Sequence, residues 1–251
     1  MKKIIAVIIS LLMLVSLTSC GKPENTAYDP DSSVALIVEN DRERITLNGD
    51  EIDNTEELDS FKEDIKELVL TGTDISSVEE LKKFDNLESL VIENNNTKVD
   101  LSAVGDIKNL KQLTINGDSV TDLSFIADCE NLEKLYIFSS PETDFSFLTG
   151  MTTIRDLQIV DTKIADLSPI ATLENLNTLY LYGDGITDIS VLYPLNELVD
   201  LSLAFNEIQD ISVIKGFSKL LNVNLMGNPI NEDDAAQLQY FLPEGAIVMY
   251  K

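Results

Sequence analysis

The sequence contains no histidine. That absence removes Ser-His-Asp and Cys-His catalysis, imidazole metal ligands and the usual pH switch. Cysteine is nearly as scarce, and Cys20 and Cys129 stand so far apart that no disulfide framework is implied. Basic residues are outnumbered, with 18 Lys and Arg against 44 Asp and Glu, a net charge of −26. Nucleic acid is therefore not an expected partner, because binding it requires cations that displace counterions from phosphate. The acid excess either keeps the protein soluble and monomeric or marks a cationic partner. No segment follows the Asp-rich twelve-residue calcium loop with its closing Glu, and neither a metal nor a cofactor is expected.

What is present begins with an address. Met1-Lys2-Lys3 is a positive n-region, and the apolar stretch Ile4 to Leu17 falls short of the about 20 residues that span a bilayer. It reads as a signal peptide over residues 1–19. Leu17-Thr18-Ser19-Cys20 closes it and resembles the bacterial lipobox, which implies cleavage before Cys20 and attachment of diacylglycerol to that cysteine. The processed chain would then carry 16 basic and 44 acidic residues, a net of −28. Residues 20–33, rich in Pro, Asp, Ser, Asn and Gly, suit a flexible tether. The remainder, in a chain of 251 residues with 44% hydrophobic and 25% charged, has the balance of one globular domain.

Self-similarity organises that domain. Ile65, Leu87, Leu110, Leu132, Ile154, Leu176, Leu198 and Leu220 follow one another at 22 residues, with a single spacing of 23. Behind each leader the same apolar offsets recur, as in Ile154, Leu157, Ile159, Ile164, Leu167, Ile170 and Leu173. The second halves carry Asp122-Leu123-Ser124, Asp166-Leu167-Ser168, Asp188-Ile189-Ser190 and Asp210-Ile211-Ser212, with Asp144-Phe145-Ser146 as a variant. This pattern resembles the internalin type of leucine-rich repeat. The resemblance implies an α/β fold: a right-handed leucine-rich-repeat solenoid whose curved parallel sheet lines the concave face.

Seven buried aliphatic side chains return about 10 to 21 kcal/mol, less than the backbone entropy of ordering 22 residues, so a repeat folds only by stacking on its neighbours. A cap and degenerate unit are expected over residues 34–64, repeats over 65–230, and a closing cap over 231–251. The front cap uses a strand from Val34 to Val38 with Ile45, Leu47, Ile52, Leu58 and Phe61. The rear cap uses a helix that Asn231 precedes and that runs through Leu242, turning Ala235, Leu238, Phe241 and Leu242 to one side, followed by a strand from Ile247 to Tyr250. Bulges are expected at the extra residue within Asn94 to Lys98 and at Glu142, where an aliphatic residue belongs. In such a solenoid Asn206 and Asn228 turn inward and bond loop backbone. Thr73, Asn95, Asp118, Ser140, Thr162 and Asp184 hold the same position in other units.

The column Asp100, Asp122, Asp144, Asp166, Asp188 and Asp210 reads as turn caps rather than calcium ligands, because each carboxylate precedes a turn-opening residue by two. Cys129 shares its offset with Met151, Leu173, Leu195 and Phe217 and reads as apolar filler. Two carboxylates would suffice for a glycosidase, but a regular solenoid offers no deep pocket to desolvate one of them, so an enzyme is not expected.

The strand residues flanking the inward pair face outward in two columns. One contains Tyr136, Gln158 and Tyr180, and the other Phe138, Val160, Tyr182 and Met226, with Phe205 at the rim. Exposed apolar clusters rimmed by polar groups, here Lys134, Asp156, Asp161, Asp200 and Asn222, mark binding surfaces, although the rings could equally stabilise the ladder. Resemblance to internalins implies that this face grips a protein. The expectation is a lipid-anchored, extracytoplasmic binding protein at the cell membrane that contacts a protein through Tyr136, Phe138, Val160, Tyr180, Tyr182, Phe205 and Met226. A glycan ligand, or a passive envelope role without a dedicated ligand, stands as the alternative.

Overall fold

The short Leu-x-Leu alternation and the Asp-x-Ser turns repeat as strand and 3-10 turn, one pair to each repeat. The structure is a computed structural model that describes residues 26–27, 35–39, 44–48, 62–72, 77–93 and 98–251. Residues 1–20, and with them the signal peptide and Cys20, lie outside the described residues. So do Ile52, Leu58, Phe61, Thr73 and the insertion at Asn94–Thr97.

One sheet of twelve strands runs in sequence order. Strands β1 (Thr26–Ala27), β2 (Ala35–Glu39) and β3 (Arg44–Asn48) pair antiparallel, so two residues of the expected tether belong to the sheet. From β3 onward every pairing is parallel. The repeats contribute β4 (Glu67–Thr71), β5 (Ser89–Glu93), β6 (Gln112–Asn116), β7 (Lys134–Phe138), β8 (Asp156–Val160) and β9 (Thr178–Tyr182). They continue as β10 (Asp200–Ser202) and β11 (Asn222–Asn224), and β12 (Ile247–Met249) closes the series. Twenty-two residues per repeat leave little chain for a return path, so the crossovers are 3-10 turns such as Ser124–Asp128 and Ser212–Gly216. The one α-helix among the described residues, α1 (Glu232–Gln237), belongs to the rear cap.

The eight leaders are all buried, and one continuous core runs from Ile45 to Leu242. Cys129 is part of it, 2% exposed, with Sγ near the carbonyl oxygens of Val104 and Phe125; burial pushes its thiol pKa up to about 12. The Asp column behaves as the spacing predicts. Asp100, Asp122, Asp144, Asp166, Asp188 and Asp210 each accept the backbone N–H of the residue two positions on, at 2.8–2.9 Å.

Two further ladders tie repeats together. Asn206 Oδ1 accepts the N–H groups of Asp184 and Ile186, while its Nδ2 donates to the Leu181 and Leu203 carbonyls. Asn228 repeats this toward Ile208, Leu203 and Leu225. A second ladder escapes the sequence reading. Asn86, Asn109, Asn131 and Asn175, each just before a leader, donate Nδ2 to a carbonyl of the preceding repeat.

Three expectations are corrected. Asp118 does not turn inward; it is exposed, and Ser119 is buried beside it. Gly117, with φ of 112° against 52–75° at the equivalent residues 139, 161, 183, 205 and 227, redirects this turn and spares a carboxylate from burial. Glu142 shifts no strand register, since β7 and β8 pair without interruption. Its carboxylate instead folds back to accept the N–H groups of Thr143 and Asp144. Phe241 is 53% exposed beneath the Lys215 ammonium rather than packed with Ala235, Leu238 and Leu242, because the helix changes to a 3-10 turn at Leu238–Tyr240 and shifts the phase of its apolar face.

Candidate binding face

Alternation within each strand puts Leu157 and Ile159 of β8, or Leu179 and Leu181 of β9, into the core at 0% exposure. Their neighbours therefore stand on the opposite, open side of the sheet. The register assembles the expected columns: Tyr136, Gln158 and Tyr180 are successive partners, as are Phe138, Val160 and Tyr182. Parallel strands lie about 4.8 Å apart, so Tyr136 and Tyr180 are roughly 10 Å apart across Gln158.

The aromatic residues differ in what they present. The Tyr136 hydroxyl donates to Asp156 Oδ2 at 2.7 Å. Tyr180 and Tyr182 are half-buried, with hydroxyl pKa values raised chiefly by burial and then by the nearby carboxylates. Tyr182 packs on Phe205 with ring centroids 4.9 Å apart, and Phe205 is 53% exposed. Val160 and Met226 are half-buried in the same column or its continuation. Phe138 departs from the expectation: at 5% exposure, between Asn116 and Val160 in register, it supports the face without presenting surface. Ladder neighbours about 4.8 Å away on each side shield a ring that lies between them.

Phe205 carries a cost that the sequence pattern does not reveal. A left-handed residue follows β4 and β6 to β9 at once, and β10 and β11 three residues on: Gly72, Gly117, Ser139, Asp161, Gly183, Phe205 and Gly227. Left-handed backbone costs a residue with a Cβ about 1–2 kcal/mol, and short polar residues bear it better than a Phe at φ of 59°. Gly227 accommodates the ring, since a Cβ there would stand 2.8 Å from Phe205 Cδ1. The strain is thus borne by a half-exposed ring and not by a core residue.

Carboxylates surround the cluster. Asp156 accepts from Tyr136 and, at 3.4 Å, from Gln158 Nε2, and burial raises its pKa. Asp200 accepts from Asn222 Nδ2. Asp161 stands exposed beside Tyr182. Among the described residues none of the three forms an ion pair, and Lys134, in register beside Asp156, acts on it by charge alone. Elsewhere the described surface has open hollows, such as the one lined by Lys111, Glu133 and Arg155, away from the aromatic rings. No group of three or more acidic or cysteine side chains among the described residues could hold a metal ion.

No protein-family model and no curated protein matches the chain. Solved structures do. Internalin C2 from Listeria monocytogenes aligns with a TM-score of 0.63 and 30% identity over 72% of this chain and 80% of that one. The internalin InlF from the same organism aligns at 0.57 and 26%, over 68% of this chain and 57% of its own. TLR13, solved in complex with ssRNA13, shares the fold at 0.59 and 20% identity, over 71% of this chain and 27% of its own. With the 22-residue period, the parallel ladder and this likeness together, the chain belongs to the internalin-type leucine-rich-repeat proteins.

Proposed function

We propose that this chain is a membrane-anchored, extracytoplasmic binding protein that recognises a protein partner through the open face of β7 to β11. The observation that carries the reading is Phe205, a strained, half-exposed ring packed at a tilt against Tyr182. Large aromatic side chains bury much area at low entropy cost and dominate binding energetics where they cluster. Val160 and Met226 extend the apolar surface, and Tyr136 fixes its acidic edge through Asp156. The uncompensated carboxylates at that edge repel a phosphate backbone, so the RNA carried by TLR13 is not the ligand class proposed here. The face works by contact, and no reaction is assigned to it.

Affinity capture with the full chain as bait tests the face. Tyr180→Ala with Tyr182→Ala should lose well over tenfold of the binding to whichever protein the unaltered chain captures, while the melting temperature stays nearly constant. Phe205→Gly should likewise weaken capture; it relieves backbone strain as it removes the ring, and an unlowered melting temperature would exclude unfolding as the cause. Undiminished capture by both variants would place recognition elsewhere. The anchor rests on the Leu17-Thr18-Ser19-Cys20 signature. Cys20→Ser should abolish incorporation of a palmitate analogue, and continued labelling would remove the lipid from the proposal.

A further inference from the structure

We infer that the partner presents an arginine, which docks on the Tyr180 ring between the carboxylates of Asp156 and Asp200. This rests on the proposed binding face and adds to it the chemistry of what is bound. Asp156, Thr178 and Asp200 are consecutive partners across β8, β9 and β10, so the two carboxylates flank a short side chain at a span of about 10 Å. Tyr180 stands two residues farther along β9, on the same side of the sheet, and feels both charges.

Each carboxylate is held by neutral donors. Tyr136 and Gln158 orient Asp156, and Asn222 orients Asp200. Neutral donors fix the direction of a carboxylate and leave its charge uncompensated. Burial of Asp156 adds a desolvation cost that a bound cation would relieve. Lys134 is exposed and forms no ion pair with it, so the gap is not filled from within.

Arginine fits better than lysine because its planar, weakly hydrated guanidinium stacks on an aromatic face while its edges donate to carboxylates. Tyr182 and Phe205 beside it supply an apolar floor for the residues flanking that arginine. The chain's net charge of −26 draws such a segment in from a distance.

The probe is the tripeptide acetyl-Leu-Arg-Leu-amide, titrated into the isotopically labelled full chain and followed by backbone amide shifts. Shifts should centre on Gln158, Tyr180 and Ser202. The citrulline analogue, isosteric but uncharged, should bind at least tenfold more weakly. Asp156→Asn with Asp200→Asn keeps the shape and the Tyr136 acceptor, and should lose the arginine preference. Absence of any shift, equal binding of the citrulline peptide, or equal binding by the double Asn variant overturns the inference. A captured protein that depends on Tyr180 and Tyr182 but ignores the two Asp→Asn changes would overturn it while leaving the binding face intact. If Tyr180→Ala with Tyr182→Ala leaves the peptide shifts unaltered, the arginine docks elsewhere and the inference falls, while the binding face stands or falls with the capture experiment.

Discussion

Asp184 occupies an asparagine's place with the wrong chemistry. Its Oδ1 accepts the Thr162 N–H at 2.9 Å, but its Oδ2 is buried without a partner among the described residues, whereas Asn206 and Asn228 place an amide that donates to two carbonyls. Burial, with the Asp161 carboxylate adding to it against the Thr162 hydrogen bond, pushes its pKa up to about 8 from the ordinary 3.8. The folded state thus holds a proton that the unfolded chain has released. This contribution to stability is full below pH 4 and disappears as pH rises through about 8. Asp184→Asn restores the donor and removes the titration. It should stabilise the protein by about 1–3 kcal/mol at pH 9 and by much less at pH 4, as read by thermal melts at both values. A variant no more stable than the parent at pH 9 would show that Oδ2 is satisfied in solution.

Successive 3-10 turns pack against one another, and Gly105 shows how closely two of them meet. A Cβ there would stand 2.8 Å from Asp128 Cβ and 3.2 Å from the Phe125 carbonyl oxygen, so Gly105→Ala wedges the turn Ser102–Asp106 away from Ser124–Asp128. The expected cost is about 1–3 kcal/mol, concentrated where it arises. Amide exchange in β5 to β7 should accelerate while β9 to β11 stays protected, and a uniform change along the chain would refute this local coupling. The period made the strands, leaders, Asp caps and Cys129 legible before any coordinates, because spacing determines which side of an element a residue occupies. It carries no information on how flat a ring lies, which hides the burial of Phe138. Nor does it give the sign of φ, so the strain at Phe205 and the altered turn at Gly117 leave no mark in it. The ladder of Asn86, Asn109, Asn131 and Asn175 did leave a trace, an Asn before four of eight leaders, which a search for apolar offsets passes over.

Over the whole molecule, 44 acidic residues face 18 basic ones, and compaction brings like charges together. Exposed pairs such as Lys111–Glu88 and Lys219–Glu197 offset little of this. Added salt screens both effects, and repulsion is the larger. The melting temperature should therefore rise with ionic strength while affinity for a basic peptide falls; a falling melting temperature would mean that the cross-repeat ion pairs dominate. The ladder has another consequence. Every strand pairs only with those before and after it in the chain, and within the repeats each pairing spans 22 or 23 residues. Parallel sheets usually form slowly because distant segments must meet before any contact rewards them. Here each closure is short and costs little entropy, and every finished strand is the template for the next. The sheet can be laid down in the order in which the chain is delivered, front to rear, without waiting for its far end to arrive.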